Sequence, residues 1–241
     1  MKAIILAAGR GKRMKKHTST KPKCLIEYNG KPLIKWQIEA IKKIGINEIG
    51  IVTGYSREML SRFGLFEFHN SNWEKTNMVY SLNCSKEWLM NDSCIVSYSD
   101  IFYKSSAISL LEKSKAEIAI TYDPNWQYLW KQRFENPLDD AETFRLKPDN
   151  TLAEIGNKPL TIEEIEGQYM GLLKFTPKSW HYVTKIISKL NDFELHTLEM
   201  TEMLQKIIDS TNIEISAISY KEKWFELDHP SDLGQVDLTN N

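Results

Sequence analysis

The sequence is poor in cysteine, lacks a long apolar run and carries no excess of charge of either sign. Its three cysteines, Cys24, Cys84 and Cys94, lie far apart and form no CxxC pair. An odd number at these spacings indicates neither a disulfide framework nor a zinc site, and it favours a reducing compartment. The longest apolar run near the N-terminus, residues 3–8, is too short for a signal peptide or a bilayer span. We therefore expect a cytoplasmic protein with no membrane partner.

The charge balance excludes a further class of function. The 241 residues include 31 lysines and arginines and 32 aspartates and glutamates, so the formal net charge is −1. Proteins that bind nucleic acid depend on an excess of positive charge, and we expect no nucleic-acid partner here. The hydrophobic share of 41% and the charged share of 26% are typical of a globular chain of one domain.

Buried strands alternate with amphipathic helices in the first half of the chain. Such alternation predicts βαβ units and an α/β fold of the Rossmann-like type, with a mixed, mostly parallel sheet covered by helices on both faces. The predicted strands are Lys2–Ala8, Glu48–Thr53, Cys94–Tyr98 and Glu117–Tyr122. The predicted helices run from Pro32 to Gly45, over Met78–Leu89 and over Ser106–Lys113.

The alternation breaks after Tyr122, where aromatic and acidic residues follow without a clear period. Beyond them the pattern predicts a hairpin, a strand, two helices, another strand and a terminal helix. Their predicted positions are Thr143–Leu146 with Leu152–Ile155, Tyr169–Phe175, the helices after Pro177 and near Thr197–Asp209, Ile213–Ser219, and the helix from Pro230. We predict a single domain over residues 1–241 with a small α+β insertion over residues 123–175.

A glycine turn and a strongly basic segment follow the first predicted strand. Gly9 and Gly11 would let backbone N–H groups approach an anion, because glycine has no Cβ in the way. Residues 10–35 contain nine lysines and arginines and only one acid, Glu27, which suits a polyphosphate. A solvated basic loop is the alternative. The dinucleotide fingerprint G-x-G-x-x-G does not fit, since Met14 takes the place of the third glycine, and no P-loop motif is present.

The residues Leu6-Ala-Ala-Gly-Arg-Gly-Lys-Arg-Met14, followed by Lys21-Pro-Lys23, resemble the nucleotidyltransferase superfamily that joins an NTP to a phosphorylated small molecule. The likeness continues along the whole chain, through Gly54-Tyr55, Asn77–Leu82, Ser99-Asp100 and Phe225–Asp228. It is strongest to bacterial cytidylyltransferases that activate phosphocholine, 2-aminoethylphosphonate or phosphoglutamine. Residues 130–142 and 166–174 look most like the phosphoglutamine branch of that group.

The resemblance implies a role for each matching residue and the nucleotide-diphospho-sugar transferase fold. Lys23 and Arg13 would be the catalytic cations on the phosphates. Asp100 and Asp228 would hold Mg²⁺. The residues implied to bind the nucleotide are Leu6, Ala7, Ala8, Gly9, Gly11, Gly54, Asn77, Ser81 and Ser99.

General chemistry supports this assignment. Joining two phosphates needs no side-chain nucleophile, because the attacking phosphate is already ionised near neutral pH. The difficulty is repulsion between anions, so catalysis should consist of positioning and of cations on the phosphate oxygens. Mg²⁺ takes one or two carboxylates from the protein. Asp100 could alternatively cap the helix that follows it, and Asp228 could be a cap before Pro230, with Asp232 as the ligand instead.

The predicted insertion offers candidates for binding the acceptor. Trp126 and Trp130 could form a face for an ammonium group through cation–π attraction, with Glu142 or Glu166 as the counter-charge. Their spacing fits core packing equally well, and packing is the favoured interpretation of the tryptophans. Arg133 could bind a carboxylate or phosphate of the acceptor.

The function expected from these observations is an Mg²⁺-dependent reaction of CTP with a phosphorylated small molecule, giving a CDP-linked product and pyrophosphate. L-Glutamine phosphate is the first choice of acceptor, followed by phosphocholine and 2-aminoethylphosphonate, in capsule or surface-polysaccharide modification. A sugar-1-phosphate uridylyl- or thymidylyltransferase is the rival within the enzymes. A non-catalytic nucleotide-binding regulatory subunit is the rival of another class. The oligomeric state stays open, a homodimer being one option.

Overall fold

The computed structural model describes residues 1–234, which contain thirteen β-strands and eight α-helices. The strands are β1 (Lys2–Ala7), β2 (Glu27–Tyr28), β3 (Lys31–Pro32), β4 (Ile49–Thr53), β5 (Phe66–His69), β6 (Cys94–Tyr98), β7 (Ile101–Phe102), β8 (Ile118–Asp123), β9 (Phe144–Leu146), β10 (Leu152–Ile155), β11 (Gln168–Phe175), β12 (Ile215–Ser219) and β13 (Phe225–Glu226). The helices are α1 (Leu33–Lys43), α2 (Met78–Asn83), α3 (Lys86–Asn91), α4 (Ser105–Lys113), α5 (Trp126–Arg133), α6 (Pro177–Ile187), α7 (Asp192–Thr197) and α8 (Met200–Ser210).

A seven-stranded sheet forms the centre of the molecule, in the order β12-β8-β11-β6-β1-β4-β5. β1 runs parallel to β4 and β6, β4 runs parallel to β5, and β8 runs parallel to β12. Only β11 is antiparallel to its neighbours, β6 and β8, within this described sheet. The predicted mixed, mostly parallel α/β sheet is therefore confirmed.

The packing of the elements follows from their apolar patterns. Strand β1 is buried from Ala3 to its end, as expected of a central strand covered on both faces. Helix α8 buries Met200, Met203 and Leu204 against the core, because these apolar residues recur at helical spacing along one face. Helix α6 begins at a capping box in which the hydroxyl of Thr176 accepts the backbone N–H of Ser179.

Several local predictions were wrong. The single helix predicted over Met78–Leu89 is two short helices, α2 and α3, because the chain turns at Ser85, whose hydroxyl donates to the carbonyl of Leu82. Strand β5 and helices α5 and α7 were not predicted. The sequence pattern did not predict helix α5 because the part of the insertion that contains it has no clear apolar period.

The predicted insertion contains a strand of the central sheet. β11 pairs with β6 and β8, so the segment outside the sheet is residues 124–167, with α5 and the β9–β10 hairpin. The hairpin has the predicted strands. The terminal helix predicted from Pro230 falls largely outside the described residues, and the domain division remains a prediction. No helix in the described part of the chain is long and apolar enough to cross a bilayer.

Candidate active site

The turn after β1 lies against the side chain of Lys23. Gly11 has a φ of 68°, in the left-handed region that favours glycine. A Cβ at Gly11 would stand 2.8 Å from Cδ of Lys23, closer than real Cβ contacts come. The glycine of the predicted anion turn is therefore also what allows Lys23 to pass beneath it.

Three carboxylates meet beyond the ends of the central strands. Asp100 follows β6, and the small antiparallel pair β7–β13 places Glu226 opposite Ile101. The backbone N–H of Leu227 donates to the carbonyl of Asp100 at 2.9 Å, which fixes the two segments together. As a result one oxygen each of Asp100, Glu226 and Asp228 lie within 4.8 Å of one another.

Lys23 and Arg13 bring positive charge to these carboxylates. Nζ of Lys23 lies 2.8 Å from Oδ2 of Asp100 and 2.7 Å from Oδ1 of Asp228. Nη1 of Arg13 lies 2.6 Å from Oδ2 of Asp228. The structure thus brings together the four residues predicted to act on the phosphates and the metal. Their chemical roles remain predictions.

The pKa values reflect this concentration of charge. Burial by itself lowers the pKa of Lys23, but the carboxylates of Asp100, Asp228 and Glu226 outweigh it and raise that pKa well above its usual value. Burial raises the pKa of Asp228, and the attraction of Lys23 and Arg13 more than reverses this, leaving it below its usual value. Burial and the neighbouring Asp100 raise the pKa of Glu226 to about 7.

A cavity of about 420 Å³, which we call the nucleotide cavity, opens above these residues. Four cations and four acids line it, so its charges balance. The cations are Arg10, Lys12, Arg13 and Lys23, and the acids are Glu74, Asp100, Glu226 and Asp228. Of the residues predicted to bind nucleotide, Leu6, Gly9, Gly11, Asn77, Ser81 and Ser99 line this cavity.

Ala7, Ala8 and Gly54 were also predicted to bind nucleotide, and the structure does not place them on its lining. The side chains of Ala7 and Ala8 are buried in the core. Gly54 packs under the loop, where a Cβ would come within 2.6 Å of the carbonyl of Ala8 and 2.4 Å of Cβ of Trp73. At Gly54 close packing by itself requires the small residue, and the nucleotide contacts of the three residues stay predictions.

Helix α2 begins at the edge of the nucleotide cavity. Asn77 is its N-cap, and its Oδ1 accepts the backbone N–H of Met78 at 2.8 Å. Its Nδ2 donates to Oε1 of Glu199 at 3.3 Å, at the start of α8. The hydroxyl of Ser81 accepts from Nδ2 of Asn70 and donates to the carbonyl of Asn77. Both predicted residues are thus held by the protein at fixed positions.

Sequence reasoning missed several residues of this cavity, above all Glu226. The signal for it was available: Glu226 and Asp228 are two residues apart in an extended segment, so their side chains point the same way. Arg10 and Lys12, inside the recognised basic motif, also line the cavity. Nε of Arg10 is buried without a hydrogen-bond partner among the described residues, as a donor awaiting an anion would be.

A second cavity, which we call the acidic cavity, adjoins the first and shares Arg13, Met78, Tyr98, Glu226 and Asp228 with it. Five acids and one cation line it: Asp140, Glu142, Glu199, Glu226 and Asp228 with Arg13. Burial, together with the charges of Glu199 and Asp140, raises the pKa of Glu142, while its hydrogen bond from Thr201 acts the other way.

The structure confirms the favoured interpretation of Trp126 and Trp130 as packing residues and corrects their candidacy as an ammonium-binding face. Their exposed fractions are 2% and 1%, so both belong to the core. The indole N–H of Trp126 donates to the carbonyl of Ile165 at 3.1 Å, and that of Trp130 to Asp140 at 3.2 Å. Trp130 borders the acidic cavity, but the cation over its ring is the guanidinium of Arg133, at 4.9 Å.

Two further acceptor-binding predictions are corrected by the structure. Arg133 lines neither the nucleotide cavity nor the acidic cavity but a third cavity of about 290 Å³, which shares Trp130 and Glu226 with the acidic cavity, and its guanidinium is paired with Asp232 and Glu226. Glu166 is exposed and accepts the backbone N–H of Leu146 at 2.5 Å, so it supports the β9–β10 hairpin instead of lining either cavity.

The chain is similar to nucleotidyltransferases of known sequence and structure. The MobA-like NTP transferase domain matches residues 3–160. The CTP:phosphoglutamine cytidylyltransferase of Campylobacter jejuni is 37% identical over 97% of this chain and 98% of its own. The solved CTP:phosphocholine cytidylyltransferase of Streptococcus pneumoniae has a TM-score of 0.75 and 22% identity, covering 100% of this chain and 99% of its own. The inositol-1-phosphate CTP transferase of T. maritima has a TM-score of 0.76 and 18% identity, covering 99% and 96%.

The fold and the family match define an enzyme of the nucleotidyltransferase class. Within that class, the chain belongs to the MobA-like NTP transferase family, among its bacterial small-molecule cytidylyltransferases. The family resemblance read from the sequence is thereby confirmed.

Proposed function

We propose that this enzyme is an Mg²⁺-dependent cytidylyltransferase that joins CTP to a small phosphorylated acceptor, with L-glutamine phosphate as the best candidate. An oxygen of the acceptor phosphate attacks the α-phosphorus of CTP, and the bond from that phosphorus to the pyrophosphate oxygen breaks. The products are a CDP-linked molecule and pyrophosphate. The full-length similarity to the Campylobacter jejuni enzyme supports both substrates.

One observation carries the proposal: the ammonium of Lys23 lies within 2.8 Å of two carboxylates on the wall of a cavity that holds three further cations. Buried charges persist only where opposite charges compensate them. A triphosphate would bring the negative charge that the cationic side chains of this cavity can take up, and a divalent ion would take the place of Lys23 as counter-ion to the carboxylates.

The residues present fit Mg²⁺. Asp100, Glu226 and Asp228 offer three convergent carboxylate oxygens, the hard donors that this ion prefers. Oδ1 of Asp100 is buried and has no hydrogen-bond partner among the described residues, although buried acceptors are nearly always satisfied. When bound, the ion would supply positive charge to the phosphate oxygens.

The chain's own residues act by positioning and by charge. Gly9, where an added Cβ would meet no atom within 4 Å, leaves room for a phosphate group, and the half-buried Arg10 presents to it an N–H that no described residue accepts. Lys23 and Arg13 can turn from the carboxylates to the α-phosphate and to the incoming phosphate. Stabilising the transferred group in this way lowers the barrier without a covalent intermediate.

The acidic cavity suits the remainder of the acceptor. Beyond Glu226 and Asp228, which the proposed magnesium site uses, three more acids line it: Asp140, Glu142 and Glu199. They favour a group that carries positive charge, such as the ammonium of an amino acid phosphate. Glu142 and Glu199 reach it from two different elements, the insertion and the start of α8. This arrangement supports an amine-bearing acceptor over a neutral sugar 1-phosphate.

A pyrophosphate-release screen tests the proposal. The four common NTPs are combined with L-glutamine phosphate, phosphocholine, 2-aminoethylphosphonate and several sugar 1-phosphates, with and without Mg²⁺. We expect release only with CTP, an amine-bearing acceptor and Mg²⁺ together. Turnover of UTP or dTTP with a sugar 1-phosphate would support the uridylyl- or thymidylyltransferase alternative. Nucleotide binding without any turnover would support a regulatory subunit.

The cellular setting is part of the same proposal. A CDP-linked product is an activated group, ready for transfer to a capsule or surface polysaccharide. Association into a homodimer is a separate prediction, and light scattering of the purified protein tests it.

A further inference from the structure

We propose that Arg133 and Asp232 are positioning residues that hold Glu226 and Asp228 in place as metal ligands. The inference rests on the magnesium site of the proposed function. It gives Arg133 a different task from the acceptor contact that the sequence predicted, and it gives Asp232 a task other than that of a metal ligand.

Arg133 is fixed by contacts on several sides. Its Nε and Nη2 donate to Oδ1 and Oδ2 of Asp232 at 3.1 and 3.3 Å, and its Nη1 lies 3.6 Å from Oε2 of Glu226. The rings of Trp130 and Phe134 lie 4.9 and 5.2 Å from its guanidinium carbon. Its side chain is only 8% exposed, so few of its donors are left for a substrate.

Asp232 connects Arg133 to the segment that carries Asp228, a proposed metal ligand. Its Oδ2 accepts the backbone N–H groups of Asp228 and His229 at 2.7 and 2.8 Å. Asp232 is not among the three carboxylates that converge in the described residues, and its side chain is 3% exposed. One carboxylate oxygen of Asp232 therefore fixes the backbone at Asp228, while both of its oxygens accept hydrogen bonds from Arg133.

The insertion explains how Arg133 reaches this place. Arg133 is the last residue of α5, and the buried tryptophans Trp126 and Trp130 anchor that helix in the core. The two tryptophans, which were candidates for an ammonium-binding face, instead fix the helix that carries Arg133 at its end. The insertion thus contributes to the metal site without contributing a ligand.

Partners of metal ligands set the orientation of those ligands, and their loss typically reduces metal affinity by about 10- to 100-fold. Arg133 neutralises charge beside Glu226, and Asp232 fixes the backbone that carries Asp228. Removing either residue should weaken metal binding while leaving the cavities that hold CTP and the acceptor intact.

The test compares the full-length wild type with Arg133→Met, Arg133→Lys and Asp232→Asn. Binding of Mn²⁺·CTP is measured by proton relaxation enhancement without acceptor, and the Mg²⁺ concentration for half-maximal turnover is measured with the best acceptor. We expect Arg133→Met and Asp232→Asn to raise the Kd for Mn²⁺·CTP and the Mg²⁺ concentration for half-maximal turnover by about tenfold or more. Arg133→Lys should fall between them and the wild type, since lysine keeps the charge but not the paired donors. At saturating Mg²⁺ the KM for the acceptor should stay within about twofold.

Arg57→Met is the matched control, because Arg57 makes a similar paired contact with Glu67 away from the site; its metal dependence should equal that of the wild type. Thermal unfolding establishes that each variant is folded, and Asp232→Asn decides the matter if Arg133→Met does not fold. Unchanged metal binding in the folded variants, or a raised acceptor KM at saturating metal, overturns this inference alone. Failure of the wild type to bind Mn²⁺·CTP instead overturns the proposed function.

Discussion

At the scale of single residues, the site depends on how closely Gly11 and Lys23 approach. The left-handed backbone at Gly11 turns the chain after β1, and the missing Cβ leaves the space that the Lys23 side chain crosses. A single atom added there would displace the ammonium from the carboxylates of Asp100 and Asp228. Gly11 therefore determines both the conformation of the turn and the position of the Lys23 charge.

Substitution of Gly11 tests this contact. Gly11→Ala should lose about 1 kcal/mol of stability from the strained φ and, in addition, lower kcat/KM by about tenfold or more because Lys23 must shift. Gly64→Ala is the matched control, since Gly64 has a φ of 62° and a Cβ added there would have no other atom within 4 Å. Unfolding in urea should show similar losses for both variants, and full activity of Gly11→Ala would contradict the argument.

Substitution of Lys23 tests its proposed contact with the transferred phosphate. Lys23→Ala should lower turnover by about 10² or more, the scale of losing a charge contact made in the transition state. The control is Lys174→Met, which removes another buried lysine, one whose Nζ donates to the carbonyl of Ser114 away from both cavities. Steady-state pyrophosphate release measures both. Normal turnover of Lys23→Ala would remove the residue from the mechanism.

At the scale of elements, short pairings hold the functional segments. The two-residue strands β7 and β13 place Glu226 and Asp228 beside Asp100, although they are far apart in sequence. A similar junction joins β8 to α6: the hydroxyl of Thr176, the N-cap of α6, donates to Oε2 of Glu117, and Nζ of Lys178 lies 3.0 Å from Oε1. Such junctions fix the positions of the helices relative to the sheet.

The junction at Glu117 predicts a pH dependence of stability. The hydrogen bond from Thr176 and the contact with Lys178 lower the pKa of Glu117 in the folded protein. Its contribution is therefore present above the unfolded pKa of about 4.3 and is lost as the pH falls through the lower folded value. Glu117→Gln should reduce the free energy of unfolding by about 0.5–1 kcal/mol at pH 7, the side chain being 34% exposed.

Urea unfolding at pH 7 and at pH 3 measures the difference in the free energy of unfolding between the wild type and Glu117→Gln. At the lower pH the difference should shrink, because the carboxyl of Glu117 is then protonated in the unfolded chain and the stabilisation is lost as the pH falls toward the lower folded pKa. An equal difference at both pH values would show that the charge of Glu117 contributes nothing.

At the scale of the whole molecule, charge is divided between two adjoining cavities. The nucleotide cavity balances four cations with four acids, whereas the acidic cavity has five acids and one cation. Arg13, Glu226 and Asp228 lie on the wall that both share. The balanced lining of the nucleotide cavity suits the triphosphate and Mg²⁺ of the proposed reaction, and the acids of the acidic cavity suit the ammonium group of the proposed acceptor.

Glu142 and Glu166 provide a matched pair for testing that division. Glu142→Gln should raise the KM for the acceptor by about tenfold, the scale of one charge-assisted contact, with the KM for CTP unchanged. Glu166→Gln, which removes the same charge outside both cavities, should leave the two KM values as in the wild type. Equal effects of the two substitutions would show that the acidic cavity does not bind the acceptor.

The sequence alone predicted six of the seven described strands of the central sheet, the glycine turn and the identity of the main charged residues. These are local: apolar periodicity specifies strands and helices, and the motif residues Gly9 to Arg13 and Lys23 lie close together in the chain. It also placed Asp100 just after a strand of the predicted parallel sheet, where such sheets bind ligands, and the resemblance added Asp228. The resemblance to nucleotidyltransferases rested on the same segments.

Only the tertiary structure decided which of the remaining side chains face a ligand. Glu226 joins Asp100 through the β7–β13 pairing, Trp126 and Trp130 turn into the core, Arg133 turns to Asp232, and Glu166 turns away to the hairpin. Residue type and spacing give each of these groups the capacity to bind. Whether it meets a substrate or its own protein depends on contacts between segments that are far apart in the chain, and no local pattern encodes those contacts.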